Sequence, residues 1–212
     1  AVNGMLNILV VEPSKSSRDL SISRISETTH SASEKQISFY ESLSELPSTD
    51  FKICILSTSA NERLPIVCDL ISRHKFEYMI LEKVAFQSGH DFKRAIKILE
   101  GKTKAFVNCP RRLDPLYKFI KSYIVAPDKI SLLVSGKNWG LGSNTVHFLD
   151  LWHFLSEIKA YSSDLSGLEK KLYPSKRNNY IDIHGKMIFS SADSSLSLES
   201  KKSIENEASL EI

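Results

Sequence analysis

Short, nearly continuous apolar runs alternate with stretches in which apolar residues recur every three or four positions, and this exchange of periods organises the first half of the chain. Leu6 to Val11 is apolar apart from Asn7 and closes on Glu12-Pro13-Ser14, the pattern of a buried strand, a turn and a helix start. Phe51 to Leu56 repeats the pattern and ends in Ser57-Thr58-Ser59. From Ala60 to His74, Leu64, Val67, Cys68 and Ile71 then fall at helical spacing. Tyr78 to Leu81 is the next predicted strand. Gly89 to Glu100 is the next helix, with Phe92, Ala95, Ile96 and Leu99 on one face, and Lys104 to Cys109 is a further strand. Strands separated by helices and short polar turns predict a parallel sheet with right-handed crossovers, a doubly wound unit over residues 1 to about 110.

An amphipathic helix from about Asp114 to Ile124 leads out of this unit, and the pattern changes after Pro127. Ile130 to Ser135 predicts a strand, and Ser143 to Ile158 is apolar enough for a mostly buried helix. Tyr180-Ile-Asp-Ile and Lys186-Met-Ile-Phe alternate with period two. Such alternation without intervening helices predicts an antiparallel sheet with one wet face. The expected domains are therefore 1–126, α/β with a parallel sheet, and 127–212, α+β with a mainly antiparallel sheet. The polar residues from about Lys201 read as a fraying end or the start of a further element.

Composition narrows the function classes. Over 212 residues the hydrophobic content of 42% and charged content of 25% are those of a globular protein, and a net charge of +3 without a basic block or stripe argues against nucleic acid. Cys54, Cys68 and Cys109 have no paired spacing and read as reduced, buried thiols. No apolar stretch is long enough for a bilayer span, and no basic region precedes an apolar leader. The expectation is a cytoplasmic protein without membrane contact.

Open α/β sheets bind ligands outside the carboxyl ends of their strands, which directs attention to the polar residues that close each apolar run. Glu82 and Lys83 end the Tyr78 strand, and on their own fit a solvated strand end better than chemistry. Glu12 ends the first strand, where dinucleotide-binding domains place the acid that bonds the ribose hydroxyls. The alternative for Glu12 is a simple Glu-Pro-Ser turn. No glycine-rich phosphate loop precedes Glu12, and Asn3-Gly4 reads only as a turn, so the chain is expected to be a fragment lacking its first strand. Gly140-Leu-Gly142 opens the later helix with Ser143 as the expected cap. That helix carries His147 and Asp150 one turn apart, close enough for the carboxylate to orient the imidazole. A satisfied core histidine is the competing reading. His147 and His153 are six apart, so they do not form the i, i+4 pair of a zinc-binding helix, and no metal is expected.

Taken in order, Ser57-Thr-Ser-Ala60, Leu81-Glu82-Lys83, Asn108-Cys-Pro-Arg-Arg-Leu-Asp-Pro115 and Trp139-Gly-Leu-Gly-Ser-Asn-Thr-Val-His-Phe-Leu-Asp150 resemble motifs of the Gfo/Idh/MocA family of NAD(P)-dependent sugar oxidoreductases. The resemblance covers residues from about 6 to 160 and implies a Rossmann-like domain followed by an α+β domain that carries substrate and oligomer contacts. It implies Lys83 and His147 as the catalytic pair for hydride transfer between a sugar carbon and nicotinamide. On the cofactor it implies Glu12, Ser57, Thr58, Ser59, Glu82 and Lys83, and on the substrate Asn108, Arg112, Asn144 and His147. Val84 stands where the family has proline, and Ser143 where it commonly has an aspartate four residues before the histidine. Glu12 favours NAD, while Lys15 and Arg18 leave NADP open. The full-length protein is then expected to be a homo-oligomer acting on a sugar-like small molecule, with the second domain cut short and the fragment alone inactive. The alternative is a degenerate family member that binds nucleotide or sugar as a sensor or structural module. A response-regulator-like domain, suggested by Val10-Val11-Glu12-Pro13-Ser14, is set aside because no aspartate ends the Cys54 strand.

Overall fold

The computed structural model describes residues 6–27, 35–125, 129–175, 180–191, 193–203 and 209–212. The expected boundary at 126/127 and the Asn3-Gly4 turn lie outside them. The first part runs β1 (Leu6–Val11), α1 (Lys15–Glu27), β2 (Lys35–Tyr40), β3 (Phe51–Leu56), α2 (Ala60–Arg73), β4 (Phe76–Leu81), α3 (Gly89–Leu99) and β5 (Lys104–Val107). A 3-10 turn, Pro110–Leu113, and α4 (Pro115–Tyr123) follow. The predicted units β3-α2-β4 and β4-α3-β5 are present; β2, the partner of β1, has no counterpart among the predicted strands, and all pairings here are parallel.

Among the described residues the parallel strands form two sheets, β1-β2 and β3-β4-β5, where one was expected. The second is buried on one face only. Leu56, Met79 and Leu81 meet Leu64, Val67 and Leu70 of α2 and Ala95 and Leu99 of α3 in one core. Ile53 and Ile55 are 54% and 68% exposed, and Phe106, which pairs with Ile80 across the sheet, is 55% exposed. The expectation that β3 and β5 are buried therefore holds only for Leu56 and in part for Phe51 and Cys54 of β3, while all four residues of β5 are exposed, because an apolar run does not reveal whether both faces of a strand are covered. The three cysteines are free thiols and half-buried. Cys109 lies just beyond β5, so the strand is shorter than expected.

The second part comprises β6 (Ser131–Lys137), α5 (Leu141–Ser156), β7 (Ser162–Asp164), β8 (Tyr173–Pro174), β9 (Ile181–Asp182), β10 (Gly185–Ser191), β11 (Ser194–Lys201) and β12 (Ser209–Glu211). Its main sheet has the order β12-β6-β11-β10-β7, antiparallel except for β6 beside β11. The late polar residues thus do contribute a strand. Alternation in β11 turns Leu196 and Leu198 towards α5, where they pack with Val134, Phe148, Trp152, Met187 and Phe189. Gly185 adopts φ +108°, where a Cβ would run into the backbone of Gly167, Leu168 and Glu169.

Trp152 is fully buried at the centre of this core, with its indole N–H on the Ile130 carbonyl at 3.4 Å. Trp152→Ala is expected to destabilise the second part by roughly 3–5 kcal/mol, through lost transfer energy and the cavity left behind. Urea unfolding followed by far-UV dichroism measures the loss, and one below 1 kcal/mol, on the order of a surface change, contradicts the packing described.

Candidate functional site

The carboxyl ends of β3, β4 and β5 are level. The Glu82 amide donates to the Leu56 carbonyl at 2.9 Å, and the Asn108 amide to the Leu81 carbonyl at 2.8 Å. This sets Glu82 and Asn108 side by side, and the Asn108 side-chain amide donates to Glu82 Oε2 at 2.9 Å. Lys83 comes next in the chain, half-buried, and the Lys83-Val84 peptide is cis.

Lys83 reaches across to the second part. Its ammonium donates to Asn144 Oδ1 at 2.9 Å and to the Ser143 carbonyl at 3.1 Å, both in the first turn of α5. Asn144 is held in turn by its amide nitrogen, which donates to the Trp139 carbonyl at 2.6 Å, and Trp139 donates its indole N–H to the Glu199 carbonyl at 2.9 Å. A relay of hydrogen bonds thus runs from β11 to the Lys83 ammonium. Gly140 makes the approach possible by adopting φ +78°, a left-handed conformation that turns the chain sharply into α5. The helix begins at Leu141, with Gly140 and not Ser143 as its cap residue. Ser143, already helical, instead donates its hydroxyl to the Gly140 carbonyl at 3.4 Å, which corrects the predicted capping role.

His147 lies one turn further along α5. Its Nδ1 is buried and has no hydrogen-bond partner among the described residues. Burial lowers its pKa from the ordinary histidine value; the nearby charges of Lys83 and Arg111 push the same way, and Glu82 and Asp150 push back less. The expected contact between His147 and Asp150 is not made. Asp150 is engaged by Arg112, whose Nε donates to Oδ2 at 2.8 Å and whose Nη2 donates to Oδ1. A guanidinium offers two charge-assisted donors in one plane and takes the carboxylate from a neutral imidazole. Arg111, beside it, lays its guanidinium over the Phe148 ring, 4.4 Å from the centroid. Burial and the Asp150 charge raise the Cys109 pKa to about 11, so this thiol stays protonated at neutral pH.

On the other side of the crevice, Thr58 and Ser59 are half-buried and Ser57 is exposed. Thr58 Oγ1 is a second buried polar atom without a partner among the described residues. The Tyr180 hydroxyl of the second part meets Ser59 Oγ at 3.3 Å. Glu12 stands at the end of β1 with Oε1 accepting from the Ser14 amide at 2.9 Å. Arg18 donates to the Glu12 and Pro13 carbonyls at 2.7 and 2.9 Å and pairs with Glu41. The structure thus brings together Glu82, Lys83, Asn108, Asn144 and His147, commits Arg112 to Asp150, and leaves the contacts of Glu12 local to β1, α1 and β2.

Two participants escaped the sequence reading. Tyr180 sits in an alternating stretch that gives no hint of its contact. Arg63 did leave a signal, because it falls four residues before Val67 on the apolar stripe of α2, where a charge is out of place. It is 1% exposed and donates to the carbonyls of Glu82 at 2.6 Å, Val84 at 2.7 Å, Ala85 at 2.7 Å and Thr58. No group of three His, Cys, Asp or Glu side chains suited to a metal occurs among the described residues, and no described helix is long and apolar enough to cross a membrane.

No family model and no curated protein matches the sequence. Solved structures do match. A dehydrogenase (MviM) from Clostridium difficile superposes with a TM-score of 0.64 at 14% identity, over 98% of this chain and 73% of its own. The myo-inositol dehydrogenase from Lactobacillus casei, in complex with NAD(H) and myo-inositol, gives 0.61 at 14% identity, over 98% and 71%. The transcriptional regulator Gal80p from Kluyveromyces lactis gives 0.63 at 12% identity, over 94% and 58%. The chain has the fold of these Gfo/Idh/MocA-type proteins, a parallel α/β part followed by a mainly antiparallel one, as the ordered motifs imply.

Proposed function

We propose that this chain is a nicotinamide-dependent oxidoreductase acting on a hydroxyl or keto carbon of a sugar or sugar derivative. The observation that carries the reading is the meeting of Lys83 with the first turn of α5, which sets a cation beside a neutral imidazole whose Nδ1 has no partner among the described residues, at the mouth of a parallel sheet. The residues fit the cofactor. Thr58 Oγ1 is a buried polar atom without a partner among the described residues, and Glu12 places a carboxylate at the end of β1 for the ribose hydroxyls. Arg18, the candidate for a 2′-phosphate, is engaged with Glu41, which favours NAD over NADP. Bound nicotinamide supplies the hydride chemistry.

The protein side of the reaction is proton handling and charge stabilisation. His147, neutral at pH 7, accepts the hydroxyl proton on whichever ring nitrogen bears the lone pair. Lys83 steadies the negative charge growing on the same oxygen, which needs only that this oxygen join Asn144 Oδ1 in its hydrogen-bond shell. Asn108 keeps Glu82 aligned, and the Arg112–Asp150 pair fixes the substrate side of α5.

Fluorescence titration of the full-length protein with NADH and NADPH tests this, with turnover assayed on myo-inositol and related polyols. Tighter NADH binding and polyol-dependent NADH formation are expected; binding of neither nucleotide overturns the reading. A second reading, binding without turnover, is favoured by one feature. His147 has no carboxylate partner, since Ser143 occupies the family's acidic position and Asp150 belongs to Arg112. Nucleotide binding with no turnover on any polyol selects it.

A further inference from the structure

Arg63 is the one fully buried guanidinium among the described residues and meets no carboxylate. Its place is unfavourable on two counts. A buried cation loses its hydration, and this one lies in the first turn of α2, at the positive end of the helix dipole. Desolvation accordingly lowers its pKa, opposed by the charge of Glu82. A hydrophobic side chain would fill the same core site beside Leu64 and Val67 at lower cost. What the guanidinium supplies and a hydrophobe cannot is a planar set of donors. Nη1 gathers the carbonyls of Glu82, Val84 and Ala85, and Nη2 takes that of Thr58. Two of these carbonyls flank Lys83 directly. The fourth ties the same guanidinium to the end of β3, next to Ser59.

We infer that Arg63 is a positioning residue: by bonding the carbonyls on both sides of Lys83 and that of Thr58, it sets where the Lys83 ammonium stands against Asn144. It touches neither the reacting atoms nor the cofactor residues' side chains. The inference deepens the oxidoreductase reading but stands on the loop geometry alone, so it can be tested without turnover.

The test follows the amine itself. Acetylation of Lys83 by an amine-directed reagent, read by peptide mass spectrometry across pH, reports how firmly the ammonium is held. In full-length Arg63→Lys and Arg63→Met, Lys83 is expected to acetylate about tenfold faster than in the unaltered protein, the order expected when an ammonium loses one hydrogen bond. Val67→Ala, a cavity in the same helix and core, lowers stability but leaves that rate unchanged. A wild-type rate in Arg63→Lys, or an equal rise in Val67→Ala, makes Arg63 a packing residue only and overturns the inference. Should both Arg63 variants fail to fold, hydrogen exchange of the unaltered protein in graded urea decides. The Lys83 to Phe86 amides should open only together with α2, and their opening while α2 stays protected overturns it. Where the unaltered protein turns over a polyol, Arg63→Lys should lower kcat by more than it raises the KM for NAD. Absence of turnover there counts against the oxidoreductase reading and leaves the acetylation result intact.

Discussion

Lys83→Ala is expected to lower turnover of the full-length protein by roughly 10²–10³-fold, the usual cost of removing one preorganised charge donor from a developing oxyanion. NADH affinity should change little, because the ammonium's partners are Asn144 Oδ1 and the Ser143 carbonyl, on the substrate side of the crevice. An effect confined to kcat and kcat/KM is the signature of a contact made at the reacting centre. Steady-state kinetics beside fluorescence titration separate the two. A variant that keeps full turnover removes Lys83 from the chemistry, and one that loses NADH binding in step with turnover moves its role to the cofactor. Lys83→Arg should not restore the rate, since a planar guanidinium cannot take the place of a compact ammonium against one carbonyl and one amide oxygen.

His147→Asn is expected to cost roughly 10²–10⁴-fold in turnover, the range for a positioned general base. The pH dependence identifies the group. With its pKa lowered by burial, by Lys83 and by Arg111, the imidazole stays neutral to a lower pH than an ordinary histidine. The acid limb of kcat/KM for polyol oxidation should then lie below the usual histidine value of about 6.5. Stability carries the same sign. Between the folded and unfolded pKa values the unfolded chain binds the extra proton, so the folded state is favoured above about pH 6.5 and loses that advantage as pH falls through the lowered pKa. Thermal unfolding from pH 8 to 5 should show this loss in the unaltered protein and a flatter profile in His147→Asn. An acid limb above 6.5, or identical stability profiles, contradicts a desolvated neutral histidine.

Much of the site's composition was legible from local pattern. Polar residues closing apolar runs marked Glu12, Ser57 to Ser59, Glu82 and Lys83 as strand-end groups, because a run that must be buried throws its terminal polar residues to the rim, whereas Asn108 came only from the family resemblance. The helices at 60–73, 89–99 and 141–156 declared themselves through their apolar spacing. Pairing was less visible. Asp150 lies at the right distance along α5 to serve His147, but Arg112, 38 residues away in sequence, competes better for it. Ser143 has the residue type of a cap, but Gly140 adopts the backbone conformation that starts the helix.

Local periodicity was thus enough to mark β1, β3 to β6, β10 and helices α2 to α5 in order, since each depends on neighbours within a turn or a strand, but it gave no sign of β2, which lies in a polar stretch. Which faces are covered, which carboxylate meets which cation, and which of two nearby polar groups is left with a buried orphan nitrogen are settled by residues distant in the chain. Arg63 illustrates the difference. Its charge on an apolar stripe is visible in the sequence, but only the folding of two strand ends around it brings four carbonyl oxygens to one guanidinium.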